Sequence, residues 1–146
     1  MRIALDTNIF AYAAGVNSAE SKRLALEIIR KLPEANTCVP VQVLGELFRV
    51  LIRKADFSSD QARATILRLH DTYAVIETSP AILLAALDLA ANHMFSIWDA
   101  IILAAAAEAN CRLLLSEDLQ DGFTWNGVTI ANPFAGKKHP LLAGVL

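Results

Sequence analysis

Residues 2–10 read RIALDTNIF, and the order of chemistry in that stretch sets the fold class. Ile3 to Leu5 is a short apolar run of the kind a buried strand takes, and Asp6 ends it where helix-starting residues begin. Thr7 or Asn8 caps a short helix that ends near Gly15. A strand handing over directly to a helix is the opening of a parallel crossover unit.

The same alternation continues along the chain. Ser18 to Leu32 has Leu24, Ile28 and Ile29 on one face with charges opposite, and Pro33 stops it. Thr37 to Val39 is a second strand, after which Pro40 sits in the first turn of a helix running to about Lys54. SSDQ at 58–61 starts a helix that passes through His70, with Ser58 or Ser59 as its cap. Tyr73 to Glu77 is a third strand. Ser79 and Pro80 open a helix to about His93, and Ser96 caps another to about Asn110. Leu113 to Leu115 and Val128 to Ala131 complete the strands. The expectation is an α/β fold: a mostly parallel sheet of four to five short strands with helices on both faces. Ligands then gather at the carboxyl ends of the strands, the edge that Asp6 and Asp118 follow.

The chain has 146 residues, 55% of them hydrophobic, with no internal repeat. That is enough for one core without disulfide or structural zinc. One domain over residues 1–134 is expected, followed by a tail, 135–146, containing GKKHP and held on the domain or loosely. No apolar run approaches the ~18 residues a membrane span needs; Ala100 to Ala107 ends at Glu108. The opening MRIALDTNIF does not read as a secretory signal, so a cytoplasmic protein is expected. Cys38 and Cys111 lack a CxxC partner and read as buried reduced thiols. His70, His93 and His139 fall on separate segments without partners at ligand spacing. A net charge of −2 gives no general attraction to nucleic acid, so any such binding needs a local patch.

Four acids stand at the ends of apolar runs or inside them: Asp6, Glu46 in VLGELFRV, Asp99 in SIWDAIILAAA, and Asp118 in RLLLSEDLQDG. A carboxylate in such surroundings costs free energy unless something compensates it. Each has a plain structural explanation: a helix cap for Asp6, an ion pair with Arg49 or Arg53 for Glu46, the helix dipole for Asp99, turn chemistry for Asp118. Asp88, mid-helix, is read as structural. Taken together, four carboxylates without histidine or thiolate suit a hard cation, Mg²⁺ or Mn²⁺. Two such ions ~4 Å apart activate water and stabilise a phosphodiester displacement, which is nuclease chemistry. Arg49 and Arg53 lie three and seven residues beyond Glu46, within about 60° of it around the helix axis, and are candidates for phosphate contact.

With DTNIF at 6–10, Glu46 on a helix, WDAIILAAA at 98–106, LLLSEDLQDG at 113–122 and NPF at 132–134, the chain resembles the PIN domain, and within it the VapC-type toxins of toxin–antitoxin pairs. The resemblance implies a PIN-like three-layer α/β/α fold and a Mg²⁺- or Mn²⁺-dependent endoribonuclease. Asp6 and Asp99 match the family's principal metal ligands, Glu46 its third acid and Asp118 its fourth, with Glu117 and Asp121 as alternatives in the same loop. Asn8 and Ser116 match supporting polar positions. The family implies a homodimer, an RNA substrate and a silencing antitoxin. A haloacid-dehalogenase-type phosphatase would need an aspartate where Asn8 stands, and a dinucleotide-binding enzyme a glycine-rich turn that DTNIF lacks. The remaining alternative is a PIN-like module that binds RNA or protein without cutting.

Overall fold

The computed structural model describes residues 1–146. In chain order it contains β1 (Arg2–Leu5), α1 (Thr7–Ala13), α2 (Ala19–Lys31), β2 (Thr37–Pro40), α3 (Val41–Lys54), α4 (Ser59–Thr72) and β3 (Ala74–Ile76). Then follow α5 (Pro80–His93), α6 (Ile97–Glu108), β4 (Cys111–Leu115), β5 (Thr124–Trp125), β6 (Val128–Ala131) and α7 (Pro140–Ala143). The helix starts are local chemistry. Ser18, Ser58, Ser79 and Ser96 each accept a backbone N–H of the first turn, and Ser58 forms a reciprocal capping box with Gln61.

The six strands form one sheet in the order β3-β2-β1-β4-β6-β5. Every pairing is parallel except β5 with β6. The expected four to five strands become six because Thr124–Trp125 turns back on β6 through Asn126 and Gly127, whose φ values of 45° and 84° are those of a tight hairpin. The Asn-Gly pair carries that signal in the sequence, and Gly127 takes its positive φ without a Cβ penalty. Two further details differ from expectation. Pro40 ends β2, pairing with Ile76, and precedes α3 instead of lying within it. Asp6 caps α1, as its plain structural explanation has it, whereas Thr7 and Asn8, the other candidates for the cap, lie inside the helix.

Successive residues of β1 and β4 are buried, Ile3 to Leu5 and Leu113 to Leu115, so both faces of the sheet must be covered. Two groups of helices cover it: α1 packs on α2 and α3 while α3 packs on α4, and the α5–α6 pair lies on β4, β2 and β6 through α6. From Ala100 to Ala106 α6 is wholly buried. The segment after Pro133 reaches back to the domain, where Leu142 of α7 is fully buried in the main core. Both cysteines are buried and unpaired. No helix is long and apolar enough to cross a membrane.

The chain runs outward from β1 to β2 and β3, then returns to β4 on the other side of β1. That reversal opens a crevice at the carboxyl ends of β1 and β4, the place where open parallel sheets hold ligands. Register aligns Leu5 with Leu115, so the next residues, Asp6 and Ser116, emerge side by side.

Candidate functional site

Asp6 is only 5% exposed, at the end of a strand whose preceding residues are all core. Its backbone N–H donates to Leu115 at 3.0 Å, continuing the β1–β4 ladder one step past the strands. Its carboxylate accepts the Thr7 N–H on Oδ1 and the Ser116 hydroxyl on Oδ2, both at 2.7 Å. Ser116 is fixed in turn, since its oxygen accepts the Leu119 N–H at 3.2 Å. Burial pushes the Asp6 carboxyl up to about 6; the two hydrogen bonds oppose this, and the charges of Asp99 and Glu46 add to it.

Glu46 occupies the edge of α3 beside the buried stripe of Val43, Leu44, Leu47 and Leu51. Its two oxygens are held from two directions. The Thr7 hydroxyl donates to Oε2 at 2.8 Å, and Gln42 Nε2 donates to Oε1 at 3.0 Å. No ion pair in the molecule includes Glu46, Arg49 or Arg53, so the simplest structural explanation for this glutamate does not apply. Asp99 lies in the first turn of α6, half-buried, and its N–H is capped by the Ser96 hydroxyl at 3.1 Å. Burial raises its carboxyl, the Ser96 hydroxyl lowers it, and the charges of Glu46 and Asp118 raise it further.

The SEDLQDG loop sorts its three acids by their partners. Glu117 accepts the Tyr12 hydroxyl at 2.8 Å, and burial together with that carboxylate lifts the Tyr12 phenol to about 12. Asp121 accepts the Asn132 N–H at 3.0 Å and pins the turn before Phe134. Asp118 is exposed, makes no hydrogen bond, and bears electrostatically on Asp99 and Tyr12. It is the acid of the three that is free to face the cleft.

A cleft of about 570 Å³ opens beside these groups. Thr7, Asn8, Glu46 and Asp118 line one part of it, and Arg49, Arg53 and Lys54 line another along α3. Asp6, buried next to Thr7, and Asp99 are not among the residues that line it. Asn8 is buried in this wall with neither amide atom hydrogen-bonded, a costly arrangement for a polar side chain. The donor set is carboxylate, amide and hydroxyl oxygen, which fits a hard divalent cation. In the conformation described, no three acidic, imidazole or thiol groups converge on one point. The carboxylates thus act on one another at coulombic range, with Asp99 and Asp118 less buried than Asp6.

The sequence did not single out Thr7 as a partner of Glu46, Gln42 as its second donor, Tyr12 as the anchor of Glu117, or Lys54 as part of the basic wall. Only Gln42 carries a local signal, four residues before Glu46 and therefore on the same helix face. The histidines have other roles: His139 caps α7, His93 packs edge-on against Phe123, and His70 is exposed.

A parallel α/β sheet with carboxylates gathered at its switch point defines the class. The PIN domain model matches residues 3–121, and the chain belongs to the PIN domain family. Among solved structures it is similar to VapC20 of Mycobacterium tuberculosis, a toxin that cleaves the sarcin-ricin loop, at 20% identity over 77% of this chain and 86% of that one, with a TM-score of 0.65. A toxin–antitoxin complex from Klebsiella pneumoniae matches at 20% identity over 90% and 98%, TM-score 0.70. VapBC2 from Rickettsia felis, bound to a promoter DNA fragment, matches at 18% identity over 90% and 98%, TM-score 0.64. At these identities the likeness is one of fold. No curated protein sequence matches significantly.

Proposed function

We propose that this chain is a divalent-cation-dependent endoribonuclease of the VapC toxin kind, acting on RNA in the cytoplasm. The observation that carries the reading is that Asp6, Glu46 and Asp99 stand within electrostatic reach of one another beside a cleft lined by Glu46 and Asp118 on one part and by Arg49, Arg53 and Lys54 on another. A buried, hydrogen-bonded carboxylate on which two other acids bear is stabilised by a cation and strained without one.

Asp6, Glu46, Asp99 and Asp118 are the groups that would hold Mg²⁺ or Mn²⁺, supported by Asn8 and Ser116. Such an ion would supply Lewis acidity at the phosphodiester and make a water easier to deprotonate into a nucleophile. The chain does the rest. Ser116 and Thr7 fix the Asp6 carboxylate before any ligand arrives, so little reorganisation remains for the reaction. Asn8 carries two N–H donors and a carbonyl oxygen without a partner just behind the wall, unspent polar capacity beside the acids that suits a supporting role. Arg49 and Arg53, unpaired and three and seven residues from Glu46, hold the flanking phosphates of the RNA.

The similarity in fold to toxin–antitoxin complexes supports a cognate antitoxin as one partner, which would lie over the acidic cleft, and a second copy of the chain is the other partner proposed. The exposed Leu83, Leu84 and Leu87 of α5 give an apolar face suited to the second. The test is direct. Purified protein is expected to cut structured RNA with Mg²⁺ or Mn²⁺ and to stop with EDTA, and Asp6→Asn or Asp99→Asn to abolish cutting. RNA binding with no cation-dependent cleavage would replace this reading with that of a binding module.

A further inference from the structure

Gln42 joins two of the acid-bearing helices through one nitrogen. Its Nε2 donates to Glu46 Oε1 at 3.0 Å within α3 and to the backbone carbonyl of Trp98 at 2.9 Å on α6. Both acceptors are acceptor-only groups, so the amide nitrogen, and not its oxygen, must face them; both of its hydrogens are then used. Trp98 immediately precedes Asp99 in the first turn of α6. One primary amide therefore orients the Glu46 carboxylate and ties down the turn from which Asp99 projects.

The link closes a continuous series. Ser116 on the β4 edge donates to Asp6, the Thr7 N–H donates to Asp6, the Thr7 hydroxyl donates to Glu46, and Gln42 donates to Glu46 and to Trp98. Four separate parts of the chain, led by β4, α1, α3 and α6, are thereby connected through hydrogen bonds at the site. Within that series Gln42 alone bridges α3 and α6. Neutral donors also suit the task. They fix the geometry of Glu46 without cancelling the charge a cation would use, as an arginine would.

We propose that Gln42 is a positioning residue that sets the spacing of Glu46 and Asp99 for divalent-cation binding, a role that rests on the nuclease reading above. It acts through Glu46 and through the turn that carries Asp99, and touches neither the ion nor the RNA. Leucine at this position keeps the volume and the helix propensity while removing the donor.

The experiment measures Mn²⁺ affinity by calorimetry on the full chain, together with kcat and KM on a structured RNA, for the parent, Gln42→Leu, Glu46→Gln and the double variant. The expected result is a Gln42→Leu protein that melts close to the parent, binds Mn²⁺ about tenfold more weakly and loses kcat about 10–100-fold with KM little changed, in the range for loss of a ligand-orienting partner. The double variant is expected to lose less than the sum of the two single losses, because the Glu46 part of the role is already gone in Glu46→Gln and only the hold on Trp98 remains to be removed. Parent-like Mn²⁺ affinity in Gln42→Leu, or additive losses in the double variant, would overturn the proposal. A parent that neither binds Mn²⁺ nor cuts RNA would overturn the nuclease reading, and the positioning role with it. Parent behaviour thus tests the reading, and the ratio of variant to parent tests Gln42.

Discussion

The Ser116 hydroxyl donates to Asp6 Oδ2 across 2.7 Å, joining two residues that are 110 positions apart in the chain and adjacent at the sheet edge. The contact follows from register, since Leu5 pairs with Leu115 and the next residue of each strand leaves the sheet on the same side. It gives a buried carboxylate one of its two donors, and its loss leaves that oxygen in an apolar setting.

Ser116→Ala should therefore destabilise more than a surface hydroxyl would. Removing it strands Asp6 Oδ2 and uncaps the Leu119 N–H, for a cost of about 1–3 kcal/mol. Thermal melts should show a fall of roughly 3–10 °C. A melt unchanged within a degree would mean that water replaces the hydroxyl freely.

Asp6→Asn is expected to stabilise the cation-free protein near neutral pH while abolishing cleavage. The folded-state pKa of Asp6, about 6, lies above the ordinary 3.8, so the folded protein keeps a proton that the unfolded chain has already released. Stability is then lost as pH rises from about 4 to about 6, by up to about 3 kcal/mol for this group. Melts in EDTA should show the variant ahead of the parent at pH 7.5 by several degrees, with the gap closing towards pH 4. A parent that melts higher at pH 7.5 would contradict this.

The acidic loop separates by substitution. Asp118→Asn should cut activity by 10-fold or more and leave the melting temperature within about 1 °C, because its side chain is exposed and unbonded. Asp121→Asn should do the reverse, weakening the bond to the Asn132 N–H at a cost of about 0.5–1.5 kcal/mol while cleavage persists. Glu117→Gln, which still accepts from Tyr12, should change little. Paired melting and cleavage measurements on the three variants decide which acid belongs to the site.

Arg49→Ala and Arg53→Ala should each weaken RNA binding without altering which bond is cut. Each lost phosphate contact should lower the slope of log affinity against log salt by roughly 1. Binding titrations across 50–200 mM salt measure this. Slopes equal to the parent's would place both arginines outside the RNA path.

The strands around the site were legible in the sequence because Ile3 to Leu5 and Leu113 to Leu115 are unbroken apolar runs that end on polar residues. The helices were legible because Ser18, Ser58, Ser79 and Ser96 announce their starts. The two-residue β5 fell below any periodicity, although Asn126-Gly127 marks its turn. The four acids could be picked out singly as misplaced charges, but which of them come within electrostatic reach of one another depends on the order of strands, which is a property of the whole sheet. The Tyr12 to Glu117 and Thr7 to Glu46 bonds join residues 105 and 39 apart, and nothing local foretells either.

The position of β1 between β2 and β4 has a consequence for the moment at which this protein becomes active. The first strand synthesised needs, on one side, a partner that is made more than a hundred residues later, and Asp6 has no Ser116 beside it until β4 has left the ribosome and docked. Such distant pairing is slow to form and comes with the completion of the domain. A growing chain of this kind holds its acids apart, and the cell acquires the finished site only once the sheet has closed.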